Sequence, residues 1–187
     1  MDGVKSSNLI DPVRIIEKYY QPGTPLYETL VIHSEKVRDK ALECISRRDL
    51  EVDIDFVASA AMLHDIGIYL CDAPGIHCHG SLPYICHGVE GRKILDKEGY
   101  PRHALVCERH TGSGLSVADI IRQQLPLPHR EMLPITLEEK LICYADKFFS
   151  KSGNIRKEKD LARVMASMEH HGPDTLARFM HLHALFG

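Results

Sequence analysis

The 187-residue chain lacks an apolar run of the roughly 18 to 20 residues that a membrane span takes; its best stretch, Phe56 to Leu63, is already interrupted by Ser59. A membrane-spanning role is excluded on that ground. Met1 to Asp11 carries one lysine and no apolar core, so no export leader is expected and the chain is read as cytoplasmic. None of its six cysteines falls in a C-x-x-C pair, and a chain of this size can bury enough apolar surface to fold without staples. Reduced thiols are therefore expected rather than a disulfide framework. Basic excess is missing too: 23 Lys and Arg stand against 26 Asp and Glu, a net charge of −3, which argues against nucleic acid as the main partner. No repeat, low-complexity tract or Ser/Gly linker divides the chain. One domain over 1–187 is expected, with a core over about 26–149 and C-terminal helices over 155–186 packed on it. What the chain has in quantity is histidine, 12 in all.

Helical periodicity dominates. After a short segment over Asp11 to Tyr20 and the turn Gln21-Pro22-Gly23-Thr24, Pro25 is a good first helical residue, and Leu30, His33, Val37, Ala41 and Ile45 recur at spacings of three and four. Asp53 or Asp55 can cap a second helix running through Phe56, Val57, Ala60, Ala61 and Leu63 to His64-Asp65-Ile66-Gly67, with the glycine as its stop. Further helices are expected over Tyr84 to Glu98 and from Pro101 to about His110. Thr111 to Pro134 holds too many breakers for one element and reads as a long loop, with room for a helix over Val117 to Gln124. Thr136-Leu137-Glu138-Glu139 has the form of a capping box. Lys151 to Lys159 reads as charged and exposed, and Leu161 to Met168 and Pro173 to Phe186 as two closing helices. With no alternating strand in evidence, the prediction is an all-α fold of about seven helices.

Polar residues of metal-ligand type fall on or beside these apolar faces: His33, His64, Asp65, His87, His110 and Asp146. Burying an unpartnered polar group costs roughly 2–7 kcal/mol, so six directed at one core require a common partner. A divalent cation supplies one. At a helix end His64 and Asp65 can both turn toward one centre, and the carboxylate keeps a second oxygen to bridge to another.

The order His33, His64-Asp65, Asp146 resembles the signature of the HD-domain metal-dependent phosphohydrolases. His87 and His110 lie between the pair and the last aspartate, as in the subset of that family that binds two metals. The surrounding text also matches, with His64-Asp65-Ile66-Gly67 as the HDIG form and His110-Thr111-Gly112 after the fourth helix. Thr136 to Lys147 (TLEEKLICYADK) is most similar to bacterial HD proteins that hydrolyse diadenosine tetraphosphate symmetrically. The likeness covers about Leu26 to Phe149 and implies a helical bundle around a metal site. It implies one metal held by His33, His64, Asp65 and Asp146, a second by Asp65, His87 and His110, and a metal-activated water that attacks phosphorus in line. The nitrogen-rich set suits iron, manganese, cobalt, nickel or zinc better than magnesium, and the resemblance to the two-metal subset favours iron. The implied substrate is a small phosphorylated molecule, a phosphate ester or nucleotide. Cys71 to His79 has no counterpart in the diadenosine tetraphosphatases, and Gly88-Val89-Glu90-Gly91 replaces a more apolar turn. Neither a GYP-type signature of cyclic-di-GMP phosphodiesterases nor the basic context of ppGpp hydrolases is present.

Arg109 and Lys147 adjoin predicted ligands and are read, with Asp65, as the catalytic group, their charges holding phosphate oxygens; Lys36, Arg92 and Lys140 are further candidates. The cluster Cys71, His77, Cys78, His79 and Cys86 has two functional readings. One is a substrate lid whose His77 or His79 touches the ligand; the other is a structural zinc site, for which the spacing is wrong; against both stands an ordinary surface loop. Cys44, Cys107 and Cys143 read as small core residues, and His129, His170, His171, His181 and His183 as surface. Against the two-metal hydrolase stand a one-metal, 5′-nucleotidase-like enzyme using His33, His64, Asp65 and Asp146, and a non-catalytic nucleotide-binding HD protein. A diiron variant that activates dioxygen on an inositol-like or phosphonate substrate is the remaining alternative. Metal stoichiometry separates the first of these, and oxygen consumption the last.

Overall fold

The computed structural model describes residues 10–187, so the leader reading of Met1 to Asp11 lies almost wholly outside the described residues. These residues form nine α-helices and one very short hairpin, two helices more than the periodicity predicts. Helix α1 (Pro12–Ile16) is a single turn capped by Asp11. The long α2 (Pro25–Arg48) starts where Thr24 accepts the backbone N–H of Tyr27 and ends at Asp49, whose φ of 50° turns the chain out of the helix. Asp53 caps α3 (Ile54–Leu63), which ends at His64, three residues before Gly67.

Gly67 is needed for space rather than as a helix stop. A β-carbon there would lie 2.2 Å from the carbonyl oxygen of His87 and 2.5 Å from the nitrogen of Gly91. Those two residues belong to α4 (His87–Lys97), which is in turn pressed onto α5 (Pro101–Arg109): a β-carbon on Gly88 would lie 2.6 Å from the carbonyl of Cys107. The glycine-rich turn that stands in place of an apolar one thus lets three backbones meet.

The predicted helix over Tyr84 to Glu98 is split. Tyr84–Cys86 is a 3-10 turn, and α4 begins only at His87. Between Leu70 and Pro83 the chain folds into an antiparallel pair, β1 (Asp72–Ala73) with β2 (Cys78–His79), too short for any alternation to register in sequence. Its neck is closed by bonds from the Asp72 N–H to the Leu82 carbonyl and from the Gly80 N–H to the Cys71 carbonyl, both 2.8 Å.

Helix α6 (Val117–Arg122) carries the complete capping box, with Ser116 and Asp119 exchanging bonds. The box expected at α7 (Leu137–Asp146) is only half formed: Thr136 accepts the Glu139 N–H, but the Glu139 carboxylate accepts from the Ile135 N–H and from Arg109 instead. Helices α8 (Leu161–His170) and α9 (Pro173–Phe186) close the bundle, giving an all-α architecture.

Two apolar cores meet along α2. One, with Val37, Ala41, Val57, Leu141, Tyr144, Phe148, Phe179 and Phe186, joins α2, α3, α7 and α9. The other, with Ile16, Leu30, Leu63, Ile66, Leu95 and Ala104, joins α1 and α2 to α4 and α5. His33 lies between Leu30 and Val37, and His64 directly follows Leu63, so the polar cluster sits at the seam of the two. No helix among the described residues is long and apolar enough to cross a membrane.

Candidate metal centre

Five of the helices deliver polar residues to the seam at defined places: α2 delivers His33 from mid-helix, α3 delivers His64 and Asp65 just past its last turn, α4 opens with His87, α5 is followed by His110, and α7 ends on Asp146. His33, His64 and Asp65 are entirely buried, and His87, His110 and Asp146 are at most 7% exposed. Potential ligand atoms of His33, His64, Asp65 and Asp146 lie within 4.8 Å of one another, and so do those of Asp65, His87 and His110.

Asp65 is the shared member, and its two oxygens face different ways. Oδ2 lies 3.2 Å from His33 Nε2 and 3.0 Å from His64 Nε2. Oδ1 lies 3.4 Å from His87 Nε2 and 3.3 Å from His110 Nε2. None of these histidine approaches has hydrogen-bond alignment: Asp65 Oδ1 and His64 Nε2 are buried without a hydrogen-bond partner, and Asp65 Oδ2 has only the Lys151 ammonium as a close ion-pair partner. Orphaned atoms of that kind are costly unless something else binds them.

The donor chemistry says what that is. Three of the imidazoles donate Nδ1–H to the carbonyl three residues earlier: His64 to Ala61 at 2.7 Å, His87 to Tyr84 at 2.6 Å and His110 to Cys107 at 2.7 Å. Committing Nδ1 as donor leaves Nε2 as the lone-pair nitrogen in the neutral ring, and backbone-tethered Nδ1 is the usual support of a metal-bound histidine. His87 Nε2 and His110 Nε2 stand 3.1 Å apart, lone pair toward lone pair unless a proton or cation lies between them. The residues present fit divalent metal, and both histidine-carboxylate groups could hold an ion.

The electrostatics agree for His87 and His110, while His64 must lose a proton to serve as a ligand. Burial drives His87 down to about 3, and although the Asp65 carboxylate opposes this, the neighbouring His110 and Lys151 reinforce it. Burial likewise lowers His110. Both rings are therefore neutral at physiological pH, the state that ligation needs. For His64, burial works against charge, but Asp65 and Asp146 outweigh it and raise the ring to about 9. Burial alone would raise both carboxyls; His64 and Lys151 instead hold Asp65 well below the usual range, and Lys147 and Lys151 do the same for Asp146.

Lys147 is at the centre, 2.7 Å from Asp146 Oδ2, and donates to the His110 carbonyl at 3.0 Å. Lys151 is the residue that sequence reasoning missed and assigned to an exposed segment. Its Nζ lies 2.6 Å from Asp65 Oδ2 and 5.9 Å from the centre of the Tyr84 ring, which itself stacks on His87. Nothing in its spacing marks it, because it stands outside any helix.

Arg109 is placed differently from expectation. Its Nη1 donates to both Glu139 oxygens, at 2.8 and 3.0 Å, and among the described residues no ion pair or hydrogen bond joins it to the six. Arg109 is the last residue of α5, and His110, the residue after it, is the one that enters the centre. Arg92 likewise pairs with Glu108. His77, with φ 64°, and His79 are exposed on the hairpin over Leu70 to Pro83, and neither belongs to a ligand group. Cys71, Cys78 and Cys86 are buried free thiols outside any such group among the described residues, as are the core thiols Cys44, Cys107 and Cys143. His129, His170, His171 and His181 are exposed, whereas His183 is half-buried and bonded to the Tyr144 hydroxyl at 3.0 Å.

The family model of the HD domain matches residues 30–150. An uncharacterized protein of Methanocaldococcus jannaschii is 38% identical over 123 residues, 64% of this chain and 65% of that protein. A tRNA (cytidine(56)-2′-O)-methyltransferase of Thermoplasma volcanium is 27% identical over 158 residues, 84% of this chain and 42% of that protein. The protein of the same name from Picrophilus torridus is 33% identical over 116 residues, 62% of this chain and 29% of its own length. The chain thus spans less than two thirds of each of these relatives. No solved structure matches it.

Proposed function

The chain belongs to the HD-domain family, a superfamily of metal-dependent phosphohydrolases that bind divalent metals, and from that premise we propose that it hydrolyses a small phosphate ester or nucleotide with a metal-activated water. The observation that carries this reading is the set of three Nδ1 tethers, which aim His64, His87 and His110 through Nε2 at the two oxygens of one buried carboxylate.

Under this proposal His33, His64, Asp65 and Asp146 hold one divalent ion, and Asp65, His87 and His110 hold a second. When bound, such ions supply an acidified water and positive charge for the phosphoryl oxygens. The chain's own residues do the rest. Asp65 shares its carboxylate between the two groups, the backbone carbonyls of Ala61, Tyr84 and Cys107 keep the imidazoles aimed, and burial keeps His87 and His110 neutral. Lys147 sets an ammonium beside Asp146, where it can meet a phosphoryl oxygen. The seam of two apolar cores keeps bulk water from competing for the same donors. Iron is the proposed metal, with manganese, cobalt, nickel and zinc suited to the same nitrogen-rich set.

The test is elemental analysis of protein purified without added metal, followed by a screen of phosphomonoesters, cyclic dinucleotides and dinucleoside polyphosphates with the matching ion. Because two relatives are named for action on tRNA, a phosphorylated oligoribonucleotide belongs in that screen. Two metals per chain and turnover of one phosphate class are expected. Metal-loaded protein inert toward every class would refute the proposal.

A further inference from the structure

The loop over 148–159 is built to deliver one side chain. Its neck is closed where the Lys159 N–H donates to the Phe148 carbonyl at 2.8 Å and Lys159 Nζ donates to the Lys147 carbonyl at 3.0 Å. Ser152, Gly153, Asn154 and Arg156 to Glu158 are exposed along it, yet the Lys151 side chain turns inward and is only 13% exposed. Its stem leaves the ammonium over the Tyr84 ring with Asp65 as the anion in contact. Burying an ammonium costs several kcal/mol unless an anion compensates it, so the pairing is the condition on which Lys151 stays there.

Asp65 Oδ2 is also the oxygen toward which His33 and His64 converge. The ammonium and a cation held by those histidines compete for the same lone pairs. Once Asp65 serves cations, Lys151 needs another anion, and the remaining carboxylate, Asp146, is already engaged by Lys147 at 2.7 Å. The charge count points the same way. Asp65 and Asp146 are already matched by Lys147 and Lys151 before any divalent ion arrives, and an ion that displaces the proton of His64 still brings one charge more than it removes, so each ion adds positive charge that the two carboxylates do not offset. A doubly charged anion answers that excess better than a singly charged one.

We propose that Lys151 is a substrate-binding residue that exchanges Asp65 for the non-bridging oxygens of a phosphomonoester dianion, making monoesters the preferred substrate class. The inference rests on the hydrolase reading for the word substrate, but its core is a binding statement that can be tested without turnover. Manganese binding to the metal-free protein, and inorganic phosphate binding to the manganese-loaded protein, are measured by calorimetry for the parent, Lys151→Gln and Lys151→Arg. Lys151→Gln is expected to bind manganese with unchanged stoichiometry and at least parental affinity, because its competitor is gone. Its affinity for phosphate should fall about tenfold or more, whereas Lys151→Arg stays within about threefold of the parent. If an ester is turned over, KM for a phosphomonoester should rise in Lys151→Gln by a similar factor, with little change for a singly charged diester. Equal phosphate affinity in the parent and Lys151→Gln would overturn the proposal, as would a parent that takes up no phosphate. Loss of manganese from Lys151→Gln would overturn it in favour of a residue that only positions Asp65. A parent that binds phosphate through Lys151 yet hydrolyses nothing would leave the proposal standing and remove the hydrolase reading.

Discussion

Replacing Asp65 by asparagine removes one charge and changes little else in shape. The carboxylate is fully buried, with the Lys151 ammonium 2.6 Å and His64 Nε2 3.0 Å from Oδ2. In the metal-free protein the amide leaves a buried ammonium without its anion, beside a His64 ring that the carboxylates raise to about 9. Breaking a buried pair by removing one partner costs about 3–5 kcal/mol. At about 2–4 °C per kcal/mol for a chain of this size, the midpoint of thermal unfolding should fall by roughly 6–20 °C. The measurement is circular dichroism with chelator present, so that metal loss does not enter. Adding Lys151→Met to Asp65→Asn removes the orphaned charge and should return at least half of the lost stability, a coupling that a double-mutant cycle reads directly. Under metal-replete conditions Asp65→Asn should lose most of its metal, because both ligand groups share that carboxylate. A chelated Asp65→Asn protein unfolding within about 2 °C of the parent would refute the claim that a charge pair is buried here.

Replacing either His87 or His110 with alanine should lower metal content from about two to about one per chain by elemental analysis while the helical spectrum is kept. Gly67→Ala places a β-carbon 2.2 Å from the His87 carbonyl, so α4 must shift; a loss of about 1–3 kcal/mol in denaturant unfolding is expected, together with weakened metal uptake through His87. Arg109→Ala leaves Glu139 without its guanidinium, so stability should fall by about 1–3 kcal/mol while kcat/KM of the loaded protein stays at the parental value. His103, bonded to Ser59 at 2.9 Å, is held down to about 4 by burial and by the Arg102 charge. The unfolded chain takes up that proton near 6.5, so the contribution is complete above pH 6.5 and lost as pH falls through about 4; His103→Asn should flatten unfolding midpoints across that window.

Regular periodicity and capping residues made most of the helices readable. The starts of α2, α3, α7 and α9 coincide with the caps and prolines that predict them, because those signals act within one turn of chain. The convergence of His33, His64, Asp65, His87, His110 and Asp146 was readable as an ordered set, since buried polar residues at helix ends need a common partner. What escaped depends on tertiary approach. Gly67 looks like a helix stop until the His87 carbonyl is seen against it, and Arg109 looks like a phosphate ligand until Glu139 is found opposite. Lys151 is the clearest case: its burial follows from a loop closed by Lys159, a long-side-chain bond for which sequence patterns have no period.

The three imidazoles held by the carbonyl three residues behind them also bear on which ions the centre can accept. In each case the ring's bearing is set inside its own turn of chain, by Ala61, Tyr84 or Cys107, rather than by the neighbouring helix. Small sliding of α4 or α5 against α3 would therefore change how far apart the nitrogens stand while leaving each one pointed the same way. Orientation and spacing become independent variables. In a centre of this design, ions of different radius would be met by changes in helix spacing, with the directions of the His64, His87 and His110 lone pairs held constant.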